Sequence, residues 1–296
     1  MIQTRPLALP HGITLACRSP MAQAVAGAPR VLLLHGFPEA AFVWDEVMLM
    51  LSPRLDCMAP NLRGYIGSSA PAEVSAYRAK HLVADVVALI EAQGAPLDLL
   101  VAHDWGGAVA WNLAALRPDL LRRLLIINSP HPATFLRELR HSPAQQAASA
   151  YMTFLCRPDA EALLAANGRA RLWPFLSNPN PAPAWLTDTV RSQYRAAWDN
   201  GLTGPLNYYR ASPLRPPLGA DDPLHSLEIP DSVTTVRVPT TVLWGDRDVA
   251  LLPALLAGLE RWVPDLHVEH VSDASHWIVH EQPARVAALI DSLVAC

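Results

Sequence analysis

Short unbroken apolar runs alternate along this chain with longer stretches in which apolar residues recur every three or four positions. Arg30–Leu34 (RVLLL), Leu55–Pro60, Leu97–His103, Leu121–Ile127, Thr240–Trp244 and Leu266–Val271 are too short for helices and read as buried strands. Ala41–Leu51, Tyr77–Gln93, AVAWNLAALRP from Ala108, Pro253–Trp262 and Pro283–Val294 carry helical spacing instead. Residues 2–18 predict two more short strands around the turn Pro10-His11-Gly12. Alternation of this kind predicts an α/β fold, a mostly parallel sheet with helices on both faces and right-handed crossovers.

The alternation stops after Pro132. From Ala133 to Val236 no buried strand is legible; helical stretches at Phe135–Leu155 (broken near Pro143), Ala160–Asn167, Trp185–Trp198 and Pro205–Arg210 are separated by proline-rich joints, SNPNPAP at 177–183 and ASPLRPPLGADDP at 211–223. This predicts a core domain made of 1–132 and 237–296 and an inserted helical cap at 133–236.

Composition narrows the function classes. The 296 residues are 51% hydrophobic and 17% charged, enough for a large core, and the net charge of −4 leaves no basic stripe for nucleic acid. Four cysteines (Cys17, Cys57, Cys156, Cys296) lack CxxC spacing, so neither a disulfide framework nor a thiolate metal site is expected. The first twenty residues lack an apolar core of signal-peptide length and no run approaches a membrane span. The expectation is a cytoplasmic protein with no membrane partner, no metal and no cofactor.

Candidate chemistry gathers at the strand ends. In LDLLVAHDWGG (97–107), Asp104 sits in Ala-x-Asp-x-Gly spacing between a strand and a helix, and small residues at the flanks are what a sharp strand-to-helix turn needs. Such a turn lifts its central side chain to the carboxyl end of the sheet beside free helix N–H groups. Taken alone, the stretch also fits an aspartate that only caps its helix. The next strand ends bring Gly245-Asp246-Arg247-Asp248 and then Ala274-Ser275-His276-Trp277. Reactive residue, acid and histidine in that chain order suit a nucleophile–acid–His triad on a parallel sheet, with Asp248 favoured over its rival Asp246, which is better placed to bond the local turn. His103 reads as a support for the turn, His35 as bonded within its own loop, and Glu39 as an acid at a helix start.

HGFPE (35–39), RGYIGSS (63–69), VAHDWGG (101–107), GDRD (245–248) and SHW (275–277) together resemble the α/β-hydrolase superfamily, and within it the soluble epoxide hydrolases. The resemblance covers essentially the whole chain. It implies Asp104 as nucleophile, His276 as base and Asp248 as its orienting acid. It also implies an oxyanion hole from the backbone N–H groups of Phe37 and Trp105, both of which would touch substrate, and a cis peptide before Pro38. Two cap tyrosines complete the family's site: GPLNYYR (204–210) matches its cap motif at Tyr209, with Tyr208 on a neighbouring aromatic position, and Tyr151 in ASAYMTFLCRP matches the other more loosely.

An aspartate nucleophile changes the target. Attack on an ester would give a mixed anhydride, whereas attack on a saturated carbon gives an alkyl ester that water can hydrolyse. The substrate therefore carries an sp³ carbon with a leaving oxygen or halide. Dehalogenases of the family commonly place a donor side chain where Phe37 stands, and fluoroacetate dehalogenases carry Arg where Trp105 stands. An epoxide oxygen leaves as a basic alkoxide and needs a proton donor, which tyrosine supplies. The expected function is hydrolysis of a small-molecule epoxide to a vicinal diol; the alternatives are a haloalkane or halo-acid dehalogenase, and a catalytically idle fold that binds a small apolar ligand. The only protein partner entertained is a second copy of the chain. Met152, Phe154, Leu155, Trp173 and Trp185 are offered as an apolar pocket wall.

Overall fold

The computed structural model describes residues 1–177 and 182–295, so Cys296 and residues 178–181 of the SNPNPAP joint lie outside the described residues. Eight strands form one sheet: β1 (Ile2–Ala8), β2 (Thr14–Pro20), β3 (Arg30–Leu34), β4 (Asp56–Pro60), β5 (Leu99–His103), β6 (Leu124–Ile127), β7 (Thr240–Gly245) and β8 (Leu266–Val271). Their order is β1-β2-β4-β3-β5-β6-β7-β8. The β1–β2 hairpin joins β4 antiparallel at the edge, and all pairs from β4 to β8 are parallel. β5 and β6 lie at the centre of the parallel part, β4 to β8, and every residue in them is buried, which is why they read as continuous apolar runs without alternation.

The helices are α1 (Asp45–Leu51), α2 (Ala79–Ala92), α3 (Asp104–Leu116), α4 (Pro132–His141), α5 (Pro143–Ala148), α6 (Ala150–Leu155), α7 (Ala160–Arg169), α8 (Trp173–Leu176), α9 (Asp188–Asp199), α10 (Thr203–Ala211), α11 (Ile278–Glu281) and α12 (Pro283–Ala295). Proline opens α4, α5 and α12 at the first turn, where its missing N–H is no loss. Between β6 and β7 the described residues contain helices α4–α10 and no strand. That region is fastened to the strand-end loops: the Trp198 indole donates to the Pro38 carbonyl (2.8 Å), Tyr208 to the Arg63 carbonyl (2.9 Å) and Asn207 to the Ala72 carbonyl (3.2 Å). No helix among the described residues is long and apolar enough to cross a membrane.

Several elements differ from their sequence pattern. Pro253–Trp262 is two 3-10 turns, Pro253–Leu256 and Leu259–Arg261, because Gly258 takes a left-handed conformation (φ 74°) between them. The helix expected from Trp185 starts at Asp188, where Thr187 accepts the Val190 N–H as a side-chain cap (3.3 Å). Extended Arg78 parts a 3-10 turn at Val74–Tyr77 from α2, and a 3-10 turn at Ala41–Trp44 precedes α1. Leu121 only bridges Leu97, so β6 begins at Leu124.

Candidate active site

β5 ends at His103 and the chain turns into α3 through Asp104, a non-glycine residue held at φ 49°. That left-handed conformation costs roughly 1–2 kcal/mol, so it persists only under constraint. The constraints are visible. A Cβ on Gly106 would come within 2.6 Å of the Leu34 carbonyl oxygen, and one on Gly36 within 2.3 Å of the Asp104 carboxylate. Ser129, just beyond β6, donates its hydroxyl to the Asp104 carbonyl at 2.6 Å. Only glycine lets the loop after β3 and the start of α3 close this tightly. The Phe37 N–H donates to Asp104 Oδ1 at 2.7 Å, and the Phe37-Pro38 peptide is cis. Trp105 is the next residue of α3; it packs against both Tyr208 (5.6 Å) and Tyr209 (5.0 Å).

Asp248 and His276 arrive from the loops after β7 and β8. His276 Nδ1 is 2.7 Å from Asp248 Oδ2, and its Nε2 faces Asp104 Oδ2 at 3.7 Å, too long for a hydrogen bond. Asp248 is fully tied: Oδ1 accepts the N–H groups of Ala250 and Leu251 (both 2.9 Å), and Oδ2 also accepts the Asn128 amide (2.8 Å). Burial would raise the Asp248 pKa, but the charge and hydrogen bond of His276 outweigh it, and the net direction is down. For His276, burial alone would lower the pKa; the Asp248 carboxylate, with Asp104 and Glu39 adding their charges, carries it up to about 9. The rival acid Asp246 bonds His270 at the surface (2.7 Å).

Tyr151 and Tyr209 come from α6 and α10 and meet over Asp104 with ring centroids 6.1 Å apart. Burial pushes both hydroxyls well above their ordinary pKa, and the Asp104 charge adds to the effect, so both stay protonated donors. Trp105 acts on Tyr209, and Tyr209 on Tyr151, in the opposite direction, but burial outweighs both. Tyr208, one residue back, also reaches the cavity wall, but its hydroxyl donates to the Arg63 carbonyl and anchors α10 there.

Two groups escaped the sequence reading. Asn128, at the carboxyl end of β6 with φ 38°, accepts the Gly245 N–H (2.8 Å) and donates to Asp248, fixing the acid's loop. Its one legible sign is an Asn directly after an apolar strand. Glu39 does not open a helix: the 3-10 turn starts two residues later, and the carboxylate is buried. There it bonds His103 Nδ1 (3.0 Å) and Tyr194 (3.1 Å), while His103 Nε2 meets the His276 carbonyl (2.9 Å). His103 thus braces the backbone of His276, not only the turn beside it. His35 is bonded to Gly36 of its own loop (3.0 Å) and accepts the Leu62 N–H (3.1 Å).

A cavity of about 290 Å³ opens above Asp104, lined by Trp105, Tyr151, Met152, Tyr209 and Leu251 and extending along α3. Phe37 is not on its wall; the ring packs edge-on to Tyr209 (5.2 Å) and Phe175 (5.8 Å). Of the five side chains offered as pocket wall, Met152 is the one that lines it. Leu155 is core, Trp173 packs on Trp198 (4.6 Å), Trp185 stacks on His280 (4.4 Å), and Phe154 lies against the core. The arrangement combines a constrained carboxylate, a paired imidazole and two hydroxyl donors around one apolar space.

A family model described as alpha/beta hydrolase fold matches residues 29–283. The chain is 36% identical over 266 residues to the AB hydrolase superfamily protein YfhM of Bacillus subtilis (strain 168), covering 88% of both chains. It is 30% identical to epoxide hydrolase 3 of Xenopus tropicalis, covering 88% of this chain and 70% of that one. Among solved structures it is similar to a Bacillus megaterium epoxide hydrolase in complex with an inhibitor, with a TM-score of 0.88, 28% identity, and coverage of 99% of this chain and 100% of that one.

Proposed function

The chain belongs to the α/β-hydrolase fold family, and from that premise we propose that it is an epoxide hydrolase working through a covalent ester on Asp104. The observation that carries the reading is the convergence on one cavity of the Asp104 carboxylate and two protonated tyrosines, with the His276–Asp248 pair behind the carboxylate. Relatives and structural neighbours that carry the name epoxide hydrolase support the same chemistry. In this reading residues 1–132 and 237–296 are the hydrolase core and 133–236 a cap that contributes Tyr151 and Tyr209. A reducing, cytoplasmic setting fits the free thiols of Cys17, Cys57 and Cys156.

The steps follow from the geometry. Oδ1 of Asp104 is engaged by the Phe37 N–H, which leaves Oδ2 to attack. Oδ2 forms a bond to an epoxide carbon, the C–O bond of the ring breaks, and the alkoxide takes a proton from the tyrosine pair. A tyrosine placed as general acid is worth on the order of 10²–10⁴ in rate. His276 then takes a proton from water, whose oxygen adds to the Asp104 carbonyl carbon. The oxyanion on Oδ1 is held by the Phe37 and Trp105 N–H groups, a contribution of roughly 10²–10³ per donor. Collapse breaks the ester; His276 protonates the departing alkoxide, and the new carboxyl returns its proton to the tyrosinate. The diol leaves with one oxygen from the epoxide and one from Asp104.

Charge switching explains how an imidazole with a pKa of about 9 serves as a base. Esterification neutralises Asp104, one of the anions that raise His276 after Asp248, and so moves the imidazole toward its basic form when the ester needs it. A trap tests the reading. His276→Gln incubated with an epoxide gains the mass of the substrate on the peptide containing Asp104; absence of any adduct across a panel of terminal and disubstituted epoxides sinks it.

A further inference from the structure

The cavity runs away from Asp104 along one face of α3, where Asp104, Trp105, Ala108, Val109 and Asn112 all reach its wall. Eight residues of helix at a 1.5 Å rise make that floor about 12 Å long. Along this slot the reacting carboxylate and Asn112 stand about two helical turns apart.

Asn112 is out of place by every local criterion. It interrupts AVAWNLAAL, where its neighbours are strong helix formers and Asn is a poor one. Among the described residues its side chain makes one bond, from Nδ2 to the Ala108 carbonyl of its own helix (2.8 Å), which the helix does not need. The hydroxyls of Ser129, Tyr77 and Tyr208 on the slot are committed as donors, and that of Ser212 as an acceptor. Ser129 donates to the Asp104 carbonyl (2.6 Å), Tyr77 to Pro71 (2.9 Å) and Tyr208 to Arg63 (2.9 Å), while Ser212 Oγ accepts the Leu214 N–H (3.1 Å). The Asn112 carboxamide keeps its Oδ1 and one N–H uncommitted, facing an otherwise apolar space.

We infer that the slot selects terminal epoxides with an elongated apolar arm that ends in a hydrogen-bonding group, and that Asn112 is the residue that reads that end. This rests on the epoxide hydrolase reading above and adds the substrate class to it. The reasoning is one of burial: an arm of the right length removes its methylenes from water along the slot, and a polar end that would be stranded in an apolar site finds a partner at Asn112.

A paired series of 1,2-epoxyalkanes and their ω-hydroxy counterparts, three to eleven carbons long, tests it by kcat/KM. In the wild-type protein the ratio of ω-hydroxy to plain substrate peaks near nine carbons at about three- to tenfold, the range of one neutral hydrogen bond. Asn112→Leu abolishes the peak and moves the ratio below one. Asn112→Asp keeps an acceptor oxygen and removes the amide donor, so it retains the preference for an ω-hydroxyl and loses any preference for an ω-methoxy tail; this variant serves if Asn112→Leu does not fold. A ratio without a length optimum, or an ω-hydroxy ratio that Asn112→Leu leaves as it is in the wild type, overturns the inference; so does an ω-methoxy ratio above one in the wild type that Asn112→Asp keeps. Failure to turn over any epoxide in either series would instead strike the proposed function.

Discussion

Replacing Asn128 with Ala isolates the support of the acid from the acid itself. Asn128 is fully buried; its Nδ2 donates to the ionised Asp248 and its Oδ1 accepts the Gly245 N–H. Loss of a hydrogen bond to a charged group costs about 1.5–3 kcal/mol, and leaving the buried Gly245 N–H without a partner costs about 1–3 kcal/mol more. Ala gains nothing in return, since it tolerates the left-handed conformation at 128 less well than Asn. The expected loss is roughly 3–5 kcal/mol, or a fall of about 6–10 °C in Tm for a chain of this size. Asp248 keeps His276 and two backbone donors, so the acid stays in the site but is less firmly oriented. In the proposed mechanism the pair acts in ester hydrolysis, so single-turnover kinetics should show that step slowed several-fold while alkylation of Asp104 changes less than threefold. A Tm within about 1 °C of wild type, or equal slowing of both steps, would refute the reasoning.

Three further outcomes follow from particular contacts. Tyr151→Phe and Tyr209→Phe each slow epoxide ring opening by about 10–10², and the double variant by up to about 10⁴, measured as the rate of Asp104 alkylation; unchanged rates in the double variant would remove the tyrosines from the mechanism. Gly106→Ala drives a methyl into the Leu34 and His35 carbonyls at 2.6–2.7 Å and should yield protein without activity and with a lowered Tm. His35 and His131 are held neutral by burial, which outweighs the partners that favour their charged forms and lowers both to about 4. Because the unfolded chain takes up these protons first, stability is full above about pH 6.5 and is lost as pH falls toward 4, by on the order of 3 kcal/mol per histidine. Urea denaturation at pH 7, 5.5 and 4.5 checks this, and His131→Gln should flatten part of the slope.

The sheet was legible because parallel strands buried on both faces leave unbroken apolar runs, as in Arg30–Leu34 and Leu99–His103, and strand ends mark where loops converge. Asp104, Asp248 and His276 could be found because each sits at such an end. The tyrosines were reachable only through a resemblance: nothing in the periodicity of α10 distinguishes Tyr209 from Tyr208, which also lines the cavity but gives its hydroxyl to the Arg63 carbonyl. Glu39 was misplaced at a helix start, His103 was read only as a support for its own turn and Asn128 went unread, for a different reason. Their roles are set by partners 64, 173 and 120 residues away, a distance that local propensity and spacing do not span. The 3-10 turns around Gly258 were missed because apolar spacing of three or four is common to both helix types.

A single turnover in H₂¹⁸O, with enzyme in excess over epoxide, tests the ester on Asp104 most directly. The account predicts that the label enters the Asp104 carboxylate, raising the mass of its peptide by one ¹⁸O, and that the first equivalent of diol contains none. Labelled diol from the first turnover, with Asp104 unlabelled, would mean that water attacks the epoxide itself and would contradict the covalent mechanism.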